Sequence, residues 1–185
     1  LARYLIESAK NNGADMVKFQ LYNARSLFSS VDNPWYDYNI STELRFDDFK
    51  ALVHFGAKSG IEVFASVFDV ERLDWILDLG LKSVKVASRS IFNRDLSEAI
   101  LACGDRLENA LVSLGHWHGV QPPDYFPEKS DFFHCVSKYP TDLGELGLSR
   151  GMFDGPVNSL SDHTVGIFAP LFATFQHAKY IEKHF

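Results

Sequence analysis

Ser161-Asp162-His163-Thr164, then an apolar run, then Tyr180-Ile181-Glu182-Lys183-His184-Phe185, is the stretch whose reading decides the fold. Its spacing predicts a short strand, a helix and a second short strand. Strands joined by a helix run parallel, so their C-terminal ends lie at the same edge of one sheet. Side chains alternate across a strand, which puts Tyr180, Glu182 and His184 on one face. If that face is the inside of a barrel, His163 and His184 converge at its mouth. Two neutral imidazoles with coordination positions to spare suit a divalent metal.

Upstream, the same alternation continues. Apolar and β-branched runs predict strands over 16–21, 61–68, 83–88, 109–114, 132–137 and 157–160. Amphipathic spacing predicts helices over 1–12, 42–59, 70–79, 93–103 and 165–178. Gly13, Gly60, Gly80 and Gly104 serve as stops, Asp69 as an N-cap, and Pro170 falls in a first turn. Between 22 and 41 the sequence predicts a long polar and aromatic loop, of the kind that forms binding loops or lids. The stretch 115–130 holds Pro122, Pro123 and Pro127 and is no regular helix. A short helical segment interrupted by glycines is expected after Thr141.

Seven strands with no hairpin signal define a parallel α/β fold. No glycine-rich dinucleotide fingerprint follows any strand, which counts against an open doubly wound sheet. Polar residues gather at strand C-terminal ends: Lys18 and Gln20, Ser66, Lys85 and Ser88, His134 to Tyr139, Ser161 and His163, and His184. A (β/α)8 TIM barrel collects such ends around one mouth, where barrel enzymes keep their active sites. The barrel expected here is incomplete, its first strand lying before Leu1. Leu1 stands inside an amphipathic helix and Phe185 directly follows a strand, so a fragment of a longer protein is expected.

Composition narrows the partners. The 185 residues are 46% hydrophobic and 23% charged, with 16 Phe, enough apolar material for one filled core. A net charge of -6 without a basic run excludes a nucleic-acid surface. No apolar stretch approaches the roughly 20 residues that span a bilayer, so no membrane partner is expected. Cys103 and Cys135 read as buried thiols of a reducing compartment, which makes the cytoplasm the expected location.

Six motifs, in order, carry a resemblance: Lys18-Phe19-Gln20, the run from Phe64 to Asp69, Lys85-Val86-Ala87-Ser88, the run from His134 to Thr141, the run from Ser161 to Gly166, and Glu182-Lys183-His184-Phe185. Together they resemble the sialic acid synthase family, which makes N-acetylneuraminate and its relatives legionaminate and pseudaminate. The resemblance implies a TIM barrel that condenses phosphoenolpyruvate with an N-acylated sugar aldehyde, releasing phosphate. It implies a manganese or magnesium ion on His163 and His184, acting as a Lewis acid. Lys18, Lys85, Ser88, Ser137, Ser161 and Ser66 match positions around phosphoenolpyruvate, Ser137 where the family often has Asn. Gln20 and Tyr139 match positions facing the sugar. The resemblance also implies a homodimer at full length. A small antifreeze-like C-terminal domain, present in the family, lies outside this chain.

The sequence departs from that pattern at Ser90, where the family usually places an acidic residue toward the sugar, and at 115–130, where it usually has a full helix. These departures keep open a non-catalytic sugar-binding paralogue. His116 and His118, on one face of an extended segment, keep open a metal-dependent barrel hydrolase.

Overall fold

The computed structural model describes residues 1–184. Seven α-helices and seven strands follow one another through them in this order: α1 (Ala2–Asn11), β1 (Met16–Leu21), α2 (Ala24–Leu27), α3 (Tyr36–Thr42), α4 (Phe46–Ser59), β2 (Glu62–Val67), α5 (Val70–Asp78), β3 (Ser83–Val86), α6 (Arg94–Ala102), β4 (Asn109–Ser113), β5 (Asp131–Cys135), β6 (Val157–Asp162), α7 (Phe168–Phe175) and β7 (Ile181–Lys183). The strand order in the sheet is the sequence order. The β1–β2, β4–β5, β5–β6 and β6–β7 pairs are parallel. The parallel α/β class read from the sequence is therefore borne out, but the strict alternation is not, since no α-helix separates β4, β5 and β6. The chain divides into two compact units, Leu1–Val84 and Lys85–Phe185.

In the first unit, α1 and α4 cover the β1–β2 ladder. Ile6 and Ala9 of α1, and Phe49, Leu52 and Gly56 of α4, are the buried positions, spaced as one helical face requires. Gly56 makes the closest approach: a Cβ there would stand 2.3 Å from Val63 Cγ2. Asp69 caps α5 by accepting the Arg72 N–H at 2.9 Å. The Arg72 guanidinium is buried beside Glu71 (2.6 Å), Asp69 (3.5 Å) and Glu43 (3.9 Å). Glu43 in turn accepts the Ala24 N–H at 2.7 Å, which ties down the excursion between β1 and α4.

That excursion corrects the long loop expected over 22–41, because it holds α2 and α3. Asn23 Oδ1 caps α2 by accepting from the N–H groups of Arg25 and Ser26. α3 buries no residue, so it left no amphipathic stripe in the sequence.

In the second unit, β4 to β7 form a parallel ladder whose last register pairs are Leu160↔Ile181, Ser161↔Glu182 and Asp162↔Lys183. Leu146, Phe153, Leu160, Ala169 and Ala173 form a buried cluster joining α7 and the 141–155 connection to β6. Turns replace the short helix expected in that connection, with Gly147 and Gly151 at φ of 62° and 74°. A left-handed residue cannot continue a right-handed helix. Gly166, at φ 83°, likewise delays α7 to Phe168 instead of Val165.

The 115–130 segment contains no helix, as its prolines require. Aromatic packing fills the place instead. Phe126 is buried between Tyr125 and Phe132, the Arg94 guanidinium lies 4.0 Å from the Tyr125 ring centroid, and the Tyr125 hydroxyl donates to the Ile91 carbonyl at 2.9 Å. No helix among the described residues is long and apolar enough to cross a membrane.

Candidate active site

Lys85 is the centre of the second unit's polar interior. It sits in β3 at 2% exposure, where a lysine survives only with partners. Its Nζ donates to Ser113 Oγ, donates to Ser161 Oγ at 3.5 Å, and lies 3.3 Å from Glu182 Oε2. The Phe133 ring closes one side, 4.5 Å away. The Ser113 and Ser161 hydroxyls are 2.9 Å apart, and Ser161 donates to Glu182 Oε2 at 2.6 Å. Strand register explains the meeting: Ser161 pairs with Glu182 across β6 and β7, so both side chains leave the same face. The result is one ammonium, one carboxylate and two hydroxyls in nearly dry surroundings.

A second hydroxyl group forms around Gly115, just past β4. Ser88 Oγ accepts the Gly115 N–H at 3.0 Å and donates to Cys135 Sγ at 3.5 Å. A Cβ on Gly115 would lie 2.4 Å from Ser137 Oγ, 2.8 Å from Ser88 Oγ and 3.1 Å from Cys135 Sγ. Ser88 and Ser137, matched above to one pocket, therefore converge. Burial pushes the Cys135 thiol up, with the Ser88 hydrogen bond opposing it, so the group stays a neutral thiol. Gly115→Ala should displace both hydroxyls and lower the unfolding free energy by about 1–3 kcal/mol, the usual cost of overpacking. Chemical denaturation measures this, and an unchanged midpoint would show that the hydroxyls swing away freely.

The third group is a cluster of rings beyond the same strand ends. The His163 and His184 centroids are 5.1 Å apart, with planes at 76°. Tyr139 packs 4.0 Å from His163 and 5.4 Å from His184. His163 Nδ1 lies 2.7 Å from the Val136 carbonyl oxygen. A carbonyl only accepts, so Nδ1 carries the proton and Nε2 keeps its lone pair. Metal-binding imidazoles use that tautomer and that kind of backbone anchor. Tyr139 has its hydroxyl pKa pushed up to about 12, by desolvation first and then by Cys135 and Glu182 nearby, so the phenol remains a neutral donor.

The structure brings together Lys85 with Ser161, Ser88 with Ser137, and His163 with His184 and Tyr139. Lys18 and Ser66 lie in the first unit, where Lys18 Nζ donates to Ser66 Oγ at 3.1 Å. Gln20 is exposed and pairs with Ser66 in register. Ser90 is buried at 6% exposure, in a 3-10 turn after β3. His134 has its Nε2 2.6 Å from the Leu146 carbonyl, which gives it a structural partner. His116 and His118 are exposed, and among the described residues no three His, Cys, Asp or Glu are grouped to hold a metal ion.

Sequence reasoning missed Ser113, Glu182 and Gly115 as parts of these groups. Ser113 closes a strand like any small polar residue. Glu182 had a signal, because it shares a face with His184, two residues away.

Parallel strands carry near their C-terminal ends a buried lysine–hydroxyl–carboxylate group and an imidazole pair, an arrangement chemically suited to holding an anion. The comparison with known proteins narrows this: the chain belongs to the NeuB family, whose sequence pattern matches residues 5–117 and 125–185. Of the unmatched residues, 1–4 precede the match and 118–124 fall inside the proline-rich segment. An N,N'-diacetyllegionaminic acid synthase from Legionella pneumophila is 30% identical over 214 residues, which cover 100% of this chain and 59% of that protein. The crystal structure of an N-acetylneuraminic acid (sialic acid) synthetase from Leptospira borgpetersenii, in complex with citrate, superposes with a TM-score of 0.87 at 28% identity. The match covers 100% of this chain and 67% of that one. A truncated 3-deoxy-D-arabino-heptulosonate 7-phosphate synthase from Thermotoga maritima shares the fold alone, with a TM-score of 0.64 at 11% identity over 98% of this chain and 68% of that one. The TIM-barrel class expected from the sequence is that of these structures. The chain spans less than two thirds of the length of the curated relatives it matches.

Proposed function

We propose that the full-length protein condenses phosphoenolpyruvate with an N-acylated sugar aldehyde, N-acetylmannosamine or a close relative, to form a nonulosonic acid and release phosphate. The observation that carries this reading is the Lys85 group: a buried cation with two hydroxyl donors and one carboxylate. Phosphoenolpyruvate is a small, highly charged anion, and a dry ammonium flanked by hydroxyls binds such a group strongly. Membership of the NeuB family supports the substrate pair.

In this reading Lys85, Ser113 and Ser161 hold phosphoenolpyruvate, and Ser88 and Ser137 add hydroxyls around the Gly115 backbone. The enol carbon of phosphoenolpyruvate forms a bond to the aldehyde carbon, whose oxygen takes up a proton from solvent. Water adds to the neighbouring carbon and gives up a proton to the Glu182 carboxylate, whose Oε2 already accepts from Ser161. The C–O bond then breaks, phosphate leaves, and a 2-keto acid remains. Holding the reaction in a buried group keeps competing water away from the enol phosphate.

His163 and His184 are the residues that would hold a manganese or magnesium ion. The tautomer fixed by Val136 fits them for it, since Nε2 of His163 retains its lone pair. When bound, such an ion would polarise the aldehyde oxygen as a Lewis acid. Tyr139, a neutral phenol against both rings, is placed to donate to the sugar in this reading. Ser90, buried in its turn, would bear on which sugar is accepted.

Phosphate release by the full-length protein, supplied with phosphoenolpyruvate, manganese and a panel of N-acylated amino sugars, tests the proposal. Release that requires both substrates supports it. Manganese binding without turnover on any sugar would favour a sugar-binding paralogue instead.

A further inference from the structure

One residue before each histidine, where β6 and β7 end, lies an ion pair with a buried carboxylate that the reaction itself does not use. Asp162 and Lys183 are the last register pair of β6 and β7, and His163 and His184 each follow one residue later. Asp162 is 0% exposed, and its two oxygens have different partners. Oδ2 accepts Lys183 Nζ at 2.6 Å, whereas Oδ1 accepts the Thr164 N–H at 2.8 Å. Lys183 Nζ also donates to the Thr164 carbonyl. The pair thus bonds to the strand end before His163 and to the backbone just after it, from the strand that carries His184. On the other side, Thr141 N–H donates to the His163 carbonyl at 3.0 Å, and Val136 fixes the ring.

We propose that Asp162 and Lys183 are positioning residues that set the separation of His163 and His184 and so the site's affinity for a divalent cation. This rests on the two-histidine reading above. Each histidine stands one residue past the Asp162↔Lys183 register pair, so the spacing of the two rings depends on a constraint at those strand ends. The ion pair supplies that constraint one residue before each ring. The grip of two imidazoles on one cation depends closely on how the rings are spaced and oriented. Asp162 is fully buried and Lys183 is 30% exposed, and a buried carboxylate is held firmly as long as its oxygens are satisfied.

The test titrates manganese into the full-length protein and follows the free-ion signal by electron paramagnetic resonance, with thermal melting of the metal-free protein alongside. Asp162→Asn and Lys183→Met should each weaken manganese binding by about tenfold or more, the usual effect of losing a partner that orients a ligand. Lys183→Arg, which keeps the charge, should recover most of that loss. If Asp162→Asn fails to fold, Lys183→Met carries the test, because it keeps the Asp162–Thr164 turn. Variants that melt lower yet bind manganese as tightly as the unaltered protein would show a merely structural pair and overturn the inference alone. Failure of the unaltered protein to bind manganese, or equal affinity in His163→Ala, would overturn the two-histidine reading and this inference with it.

Discussion

Full-length protein carrying Lys85→Met is expected to release phosphate from phosphoenolpyruvate with kcat/KM lowered by about 10²–10³-fold, the range seen when one preorganised charge-stabilising donor is removed. The side chain keeps its approximate volume, but the ammonium and its contact with the Phe133 ring are gone. Glu182 then keeps the Ser161 hydroxyl but loses the Lys85 ammonium, and removing one partner of a buried pair costs at most about 3–5 kcal/mol. Partial exposure of Glu182 brings the cost toward the lower end. The double variant Lys85→Met with Glu182→Gln separates the two effects. Its denaturation midpoint should recover, since no unpaired charge remains, while turnover stays lost. Turnover that recovered together with stability would mean that Lys85 only balances Glu182 and does not bind substrate.

His163→Ala and His184→Ala are expected to abolish manganese-dependent synthesis, with a loss of about 10³-fold or more. Lewis-acid polarisation is worth several kcal/mol, and each 1.36 kcal/mol is a factor of about ten in rate. Stability should barely change. His163 gives up one hydrogen bond to the Val136 carbonyl, worth about 1 kcal/mol, and His184 is exposed. Kinetics across a manganese titration, paired with thermal melts, check both halves. Near-normal turnover in either variant would remove the metal role of that residue.

Much of this was legible in the sequence because the physics is local. A strand–helix–strand pattern dictates parallel pairing, so the meeting of His163 and His184 followed from spacing alone. A lysine inside an apolar strand required a buried partner, and Lys85 has one. The partner's identity was less accessible. Ser113 joins Lys85 because β4 and β6 bring their ends together, and nothing within Asn109–Ser113 marks that outcome. Glu182 could have been found by pairing it with Ser161 in register, but an acidic residue near a strand end more often faces solvent. Gly115 gave no turn signal that distinguished close packing from flexibility. The α3 helix escaped because it buries nothing, and hydrophobic periodicity was the signal being read. The turns between Thr141 and β6 escaped for the converse reason. Leu146 and Phe153 are apolar at helical spacing, yet Gly147 and Gly151 take up left-handed backbone between them.

Condensation and hydrolysis of phosphoenolpyruvate differ at one bond, and isotopic water reads it directly. The full-length protein is incubated with phosphoenolpyruvate, N-acetylmannosamine and manganese in water enriched in heavy oxygen, and the released phosphate is examined by phosphorus NMR. Attack of water on carbon, with cleavage of the C–O bond, predicts phosphate that carries no solvent oxygen and appears only when the sugar is present. Phosphate containing one solvent oxygen, formed with or without sugar, would mean that water attacks phosphorus and that the chain does not perform the proposed condensation.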